Sequence, residues 1–314
     1  MQRLSTVWHE SYEVDLGAHV YPTEKYRFVR QRLEEEGLLP DLRFLTPDPA
    51  PEDDLARVHD GAYLEKIRSG AFTRQDELRL EVPYSEELKR AMLLACGGTT
   101  LASRRAVEEK VAVHLGGGFH HAFPDHGEGF CLLNDSAVAL RALFAEGLIR
   151  RAAVVDCDVH QGNGTAAVFR DDPRVFTLSL HQERLYPARK PPSDLDVGLP
   201  DGIGDEEYLD RLDAALPRAL DDPEPDLALY LAGADPYQRD QLGGLDLSLD
   251  GLRRRDRRVL GALRERGIPG AVLLAGGYAL GVADTVSIHV NTVREALRAL
   301  RAGTASGEGP TRAG

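Results

Sequence analysis

The chain has 314 residues, 42% of them hydrophobic and 28% charged, and its 51 acidic against 38 basic residues give a formal net charge of -13. That composition describes a globular protein with ample length for a buried core. It argues against general nucleic-acid binding, where phosphate contacts dominate affinity, and is compatible with cationic substrates such as lysine side chains or polyamines. Cys96, Cys131 and Cys157 form no C-x-x-C pair and are odd in number, which reads as a reduced compartment without a disulfide framework. The first residues lead into no apolar h-region, and no apolar run approaches the ~20 residues of a membrane helix. The expected home is the cytoplasm, with no membrane span and no nucleic-acid partner.

In chain order, Val111–Leu115 predicts a strand, Asn134–Glu146 a helix, and Ala152–Val155 and Val175–Leu180 two further strands. Tyr186–Gly204, with several Pro, Gly and Asp residues, predicts a long ordered loop. A helix over Asp205–Leu220, a strand over Leu227–Leu231, a helix over Leu249–Arg266, a strand over Ala271–Leu274 and a helix over Ala283–Arg301 complete the alternation. Asp205 and Asp250 suit an N-terminal cap or a first-turn acid. Arg253-Arg254-Arg255 and Arg257-Arg258 read as a solvated helix face. The short apolar runs fit strands buried on both faces of a parallel sheet. The expectation is therefore one α/β domain over residues 1–302 with right-handed crossovers, followed by a flexible tail over 303–314.

Five polar or glycine-rich segments follow predicted strands: Gly116-Gly117-Gly118 with His120-His121, Asp158-Val159-His160, His181, Ala232 through Asp235, and Gly276-Gly277-Tyr278. Open parallel sheets bind ligands at the carboxyl ends of their strands, so the five predict one shared site. On an extended segment Asp156, Asp158 and His160 alternate onto one face, and Asp235, from another strand, can close a metal-ligand set of Asp158, His160 and Asp235. A position left for water and substrate marks a catalytic rather than a structural zinc site. Alternation turns Cys157 away from the metal into the core.

These blocks resemble the histone deacetylase superfamily: His114 through Ala122, Gly129 through Asp135, Asp156 through Gly164, Gly233-Ala234-Asp235 and Gly276-Gly277-Tyr278 stand in its order. His160-Gln161-Gly162-Asn163-Gly164, where class I enzymes usually carry His-His-Gly-Asp-Gly, resembles the class IV branch and its bacterial relatives. So do the block from His19 to Tyr26 and the Ser193-Asp194-Leu195-Asp196 segment. The resemblance implies the arginase/deacetylase fold, a parallel sheet of about eight strands flanked by helices. It also implies zinc-dependent hydrolysis of an N-acyl group from a lysine-like amine, with one zinc per chain.

By that resemblance Asp158, His160 and Asp235 hold zinc. His121 serves as general base and then acid with His120 assisting, although the division within the pair is left open. Tyr278 would donate to the developing oxyanion. Asp156 would accept from His120 and Asn163 from His121, with a lower His121 pKa because the amide is neutral. A potassium ion is implied at Asp156, Asp158, His160, Ser179 and the Leu180 backbone. Gly129, Phe130 and Tyr186 would line an acyl-lysine tunnel. His114 and His181 read as core or supporting groups and His126 as loop. The substrate would be an acyl-lysine protein or peptide, or a small acylated amine. An acetylpolyamine amidohydrolase shares these catalytic residues, and Asp125, Glu128, Asp194 and Asp196 are candidates for its acidic rim, although no long insertion precedes His120. A binuclear ureohydrolase lacks its extra ligands at Gln161 and Asn163. An acyl-lysine-binding module with a dead site conflicts with the intact catalytic set.

Overall fold

The structure is a computed structural model and describes residues 2–222 and 224–305. Its strands are β1 (Leu4–Val7), β2 (Leu42–Leu45), β3 (Val111–His114), β4 (Ala152–Asp156), β5 (Val175–Gln182), β6 (Leu195–Leu199), β7 (Leu227–Leu231) and β8 (Gly270–Leu273). They form one 8-stranded sheet in the order β2-β1-β3-β8-β7-β4-β5-β6, parallel throughout. The flanking helices are α1 (Lys25–Glu35), α2 (Glu52–Leu55), α3 (Gly61–Ser69), α4 (Arg74–Leu80), α5 (Glu86–Glu109), α6 (Asp135–Ala145), α7 (Asn163–Phe169), α8 (Asp205–Leu220), α9 (Leu249–Glu265) and α10 (Val282–Ala305). The remainder of the expected tail, residues 306–314, lies outside the described residues.

Both faces of the sheet are buried. Along β4, Ala153 and Val155 pack into one core cluster and Ala152 and Val154 into the other, the period-2 alternation of a pleated strand. The same rule carries Cys157 into the first cluster, fully buried. The predicted strands are β3, β8, β7, β4 and β5, which stand side by side in the middle of the sheet. Central strands covered by helices on both faces need continuous apolar runs.

Two expectations are corrected. The Tyr186–Gly204 segment is not all loop: it contains β6, an edge strand whose alternately exposed residues carry no apolar run. The arginine cluster is not all solvated, because Arg255 is fully buried. Its Nη1 donates to the carbonyls of Gly233 (2.6 Å) and Cys157 (3.3 Å), and its Nε and Nη2 donate to Asp256. The other arginines pair outward, Arg254 with Glu206 and Arg257 with Glu295. Asp205 and Asp250 are first-turn acids; the N-caps are Gly204 and Ser248. Asp205 instead accepts from the backbone and hydroxyl of Ser248, tying the start of α8 to the start of α9.

Candidate active site

The carboxyl ends of the five central strands converge. β3 leads into the glycine loop, where Asp135, at the start of α6, accepts from the amides of Gly118 (3.0 Å) and Phe119 (2.7 Å). Asp135 also accepts from Thr99, which contacts the buried His114 ring. This polar knot fixes the loop just before His120 and His121. The His120 Nδ1 lies 2.7 Å from Asp156, the His121 Nδ1 lies 2.6 Å from the Asn163 Oδ1, and the two Nε2 atoms face each other at 3.1 Å.

Burial penalises charge on both rings. At His120 the carboxylates of Asp156 and Asp158 outweigh it and raise the pKa to about 9. At His121 burial, reinforced by the positive charges of His120 and His160, holds the pKa well below the usual imidazole value. The surroundings thus push the two rings in opposite directions, His120 up and His121 down.

Beyond β4 and β7, Asp158, His160 and Asp235 present ligand atoms all within 4.8 Å of one another, each residue buried. Burial would raise the Asp158 pKa, but His120 and His160 hold it well below the carboxylate range. Burial and the Asp158 charge lift Asp235 to about 7. Each carboxylate is aimed by backbone donors: Asp158 accepts from the amides of His160 and Gly276, and Asp235 from that of Val159. The buried Asp235 Oδ2 has no hydrogen-bond partner among the described residues. Gly276 leaves room for that oxygen, because a Cβ there would stand 2.0 Å from it. An oxygen desolvated without a donor is costly unless a cation meets it. Two carboxylates and an imidazole around it are a donor set that fits a borderline divalent ion such as zinc.

Tyr278 follows β8 and is held through its backbone. Its amide donates to Asp240 (2.7 Å), and its carbonyl accepts from the amide and side chain of Gln241. Burial and the charges of Asp158 and Asp235 push its phenol pKa well up, so the hydroxyl stays a donor. Its ring meets Phe130 at 5.8 Å and His160 at 6.5 Å between centroids. Tyr186 stands across the site, its ring 5.1 Å from His121. Gly129 and Phe130 both have positive φ, 51° and 67°. A Cβ on Gly129 would lie 2.8 Å from His121 and 3.0 Å from the Tyr186 hydroxyl, so glycine is required there by both conformation and space.

The register of β4 and β5 sets Asp156 opposite Ser179, with Leu180 next along the chain, and the Ser179 hydroxyl lies 3.0 Å from the His181 Nδ1. Of the expected rim acids, Asp125 is exposed and pairs with His126. Asp194 accepts from Thr177 and Asp196 from Gln161 and Ser193, so these two join the β5–β6 edge. Glu128 contacts Asn163 and Tyr186.

Three site residues escaped the sequence reading. Tyr21 stacks on Phe130 at 5.6 Å and meets Tyr278 at 6.1 Å. Lys25, fully buried, donates to the carbonyl of Ala275, whose φ is 55°, and so supports the turn before Gly276. Asp240 anchors Tyr278. Tyr21 and Lys25 lie in the His19–Tyr26 block, whose resemblance marked the segment but not its roles.

The chain is similar to known proteins in sequence and in fold. A family described as the histone deacetylase domain matches residues 19–293. The chain is 40% identical over 284 residues to an uncharacterised protein of Picosynechococcus, covering 90% of this chain and 95% of that one. It is 32% identical over 307 residues to histone deacetylase 2 of Arabidopsis thaliana, covering 93% and 79%. Among solved structures, the HDA15 HD domain superposes with a TM-score of 0.78 at 23% identity, covering 97% of this chain and 94% of that one. That likeness carries the fold: the eight-stranded parallel sheet with flanking helices is the arginase/deacetylase fold.

Proposed function

The chain belongs to the histone deacetylase family, and from that premise we propose that it is a zinc-dependent hydrolase of N-acyl-lysine side chains. The observation that carries the reading is the buried Asp158, His160 and Asp235 group beside the His120–His121 pair, whose Nε2 atoms face each other and whose Nδ1 atoms are held by Asp156 and Asn163. Zinc bound there would supply Lewis acidity to water and to the acyl carbonyl. The chain's own groups do the rest. His121, neutral and oriented by Asn163, accepts the proton of the attacking water at Nε2. His120, charged and held by Asp156, stabilises the developing negative charge and helps return a proton to the leaving amine. The Tyr278 hydroxyl donates to the carbonyl oxygen as it becomes an oxyanion.

Phe130 and Tyr186, with Tyr21 behind Phe130, would wall a slot for a thin aliphatic chain. A potassium ion neutralising the buried carboxylates would be held by Asp156 and Ser179, which face each other in the β4–β5 register, with the Leu180 carbonyl. The neutral Asn163 supports the assignment to the class IV-like branch.

An amine-release assay on zinc-loaded protein tests the reading. It compares acetyl-lysine peptide, long-chain acyl-lysine peptide and acetylpolyamine. Turnover of either peptide, lost in Tyr278→Phe, is expected. Turnover of acetylpolyamine alone would move the protein to small-amine hydrolysis, and no turnover of any would leave the site a binding module.

A further inference from the structure

Asn163 bridges His121 and Glu128. Its Oδ1 lies 2.6 Å from the His121 Nδ1, and its Nδ2 donates to the Glu128 Oε1 at 2.6 Å. The two ends of a primary amide are nearly the same size, so only hydrogen bonds decide which way it points. The direction matters here. With the oxygen towards His121, the Nδ1 must carry the proton and the Nε2 keeps its lone pair. With the amide reversed, the NH2 would face Nδ1, the proton would move to Nε2, and the ring would be a donor where a base is needed. An aspartate at this place would need no orienting, because both its oxygens accept.

Glu128 supplies that orientation. A carboxylate can only accept, and at 2.6 Å it demands the NH2 end. Glu128 is itself held: the Tyr186 hydroxyl donates to the same Oε1 at 3.1 Å, and the His126 Nε2 lies 3.5 Å from the other oxygen. It also opens the turn that presents Gly129 and Phe130, exchanging backbone hydrogen bonds with Cys131. Burial pushes its pKa up, but the hydrogen bonds from His126, Asn163 and Tyr186 prevail and hold it below the usual value. We propose that Glu128 is a positioning residue that fixes the Asn163 amide and thereby holds His121 in the tautomer with Nδ1 protonated and Nε2 free to accept. The inference rests on the hydrolase reading for its consequence in turnover, but not for the tautomer itself.

The test is a double-mutant cycle of Glu128→Ala and Asn163→Asp, read by steady-state kinetics and by imidazole 15N spectra of His121. Glu128→Ala frees the amide, and kcat falls by about 10-fold or more, within the range of a compromised general base. Asn163→Asp alone sets two carboxylates against each other and also loses activity. In the double variant the new carboxylate accepts from His121 with no rival beside it, and kcat recovers above both single variants. The 15N spectra show Nδ1 protonated in the parent, a mixture of tautomers in Glu128→Ala, and the parent pattern again in the double variant. A purely structural role for Glu128 predicts losses that add. Unchanged spectra and kcat in Glu128→Ala, or a double variant worse than both singles, overturn the proposal. If the parent protein turns over no substrate, the hydrolase reading fails, while the spectra still decide whether Glu128 sets the tautomer.

Discussion

His120 and His121, adjacent in sequence, meet through their Nε2 atoms at 3.1 Å while their Nδ1 atoms point to different partners, Asp156 and Asn163. The carboxylates of Asp156 and Asp158 raise the His120 pKa, whereas burial keeps that of His121 low. His121→Ala is expected to lower kcat by ~10²–10⁴. Asp156→Asn removes the main charge that raises the His120 pKa, so His120 deprotonates at lower pH. The basic limb of the kcat/KM profile then moves to lower pH in Asp156→Asn; a limb that stays in place would mean that His120 need not be charged.

Tyr278 is fixed through its backbone by Asp240 and Gln241, so removing its hydroxyl leaves the ring in place. Tyr278→Phe is expected to cost ~10²–10³ in kcat with little change in KM, melting temperature or metal content. A loss of less than about 3-fold would assign the oxyanion to another donor.

The Asp235 Oδ2, with no hydrogen-bond partner among the described residues and the His160 Nδ1 no nearer than 3.5 Å, predicts that a metal stabilises the fold. At zinc concentrations near 100 times Kd, binding to the native state alone contributes about 2.7 kcal/mol. Thermal melts of stripped protein should shift upward by several degrees on adding zinc. In Asp235→Ala the shift should vanish and the bound metal should fall well below one per chain. An equal shift in the variant would place the stabilising ion elsewhere.

The residues easiest to read in the sequence are those at the ends of central strands. A strand buried on both faces must be apolar along its length, so the polar residue that ends it stands out, as Asp156 and Asp158 do after Ala152–Val155. The flanks of the sheet obey a weaker rule. β2, at one edge, includes Arg43, and β6, at the other, alternates exposed and half-buried residues; neither forms an apolar run. α5 hides behind Gly97-Gly98, residues that each lower helix propensity by about 1 kcal/mol yet lie within the helix. Arg255 was illegible for another reason. Nothing local distinguishes a guanidinium facing solvent from one that reaches the carbonyls of Gly233 and Cys157; only the tertiary packing of α9 against the sheet does. Glu128 shares this property, since its partners Asn163 and Tyr186 are distant in sequence.

The final prediction concerns acid. His59, on the approach to α3, is buried with both ring nitrogens engaged: Nδ1 lies 3.0 Å from the Phe123 carbonyl, and Nε2 accepts from the Asn134 amide at 3.2 Å. Asn134 in turn holds the Ala122 carbonyl and the Thr165 hydroxyl, so His59 supports the segment that carries His121. Protonating Nε2 would set a donor against the Asn134 amide. Burial is the main cause that lowers its pKa from 6.5 to about 4. Between those values the unfolded chain binds the proton and the native protein does not. The stabilisation is therefore present in full above pH 6.5 and is lost as pH falls towards 4. From pH 7 to pH 5 this group alone should cost about 2 kcal/mol of stability. Urea titrations at the two pH values measure it: His59→Asn, which has no group to titrate, should lose correspondingly less than the parent between pH 7 and pH 5. Parallel losses in the two proteins would remove His59 from the acid response and leave the carboxylates and the other buried histidines to account for it.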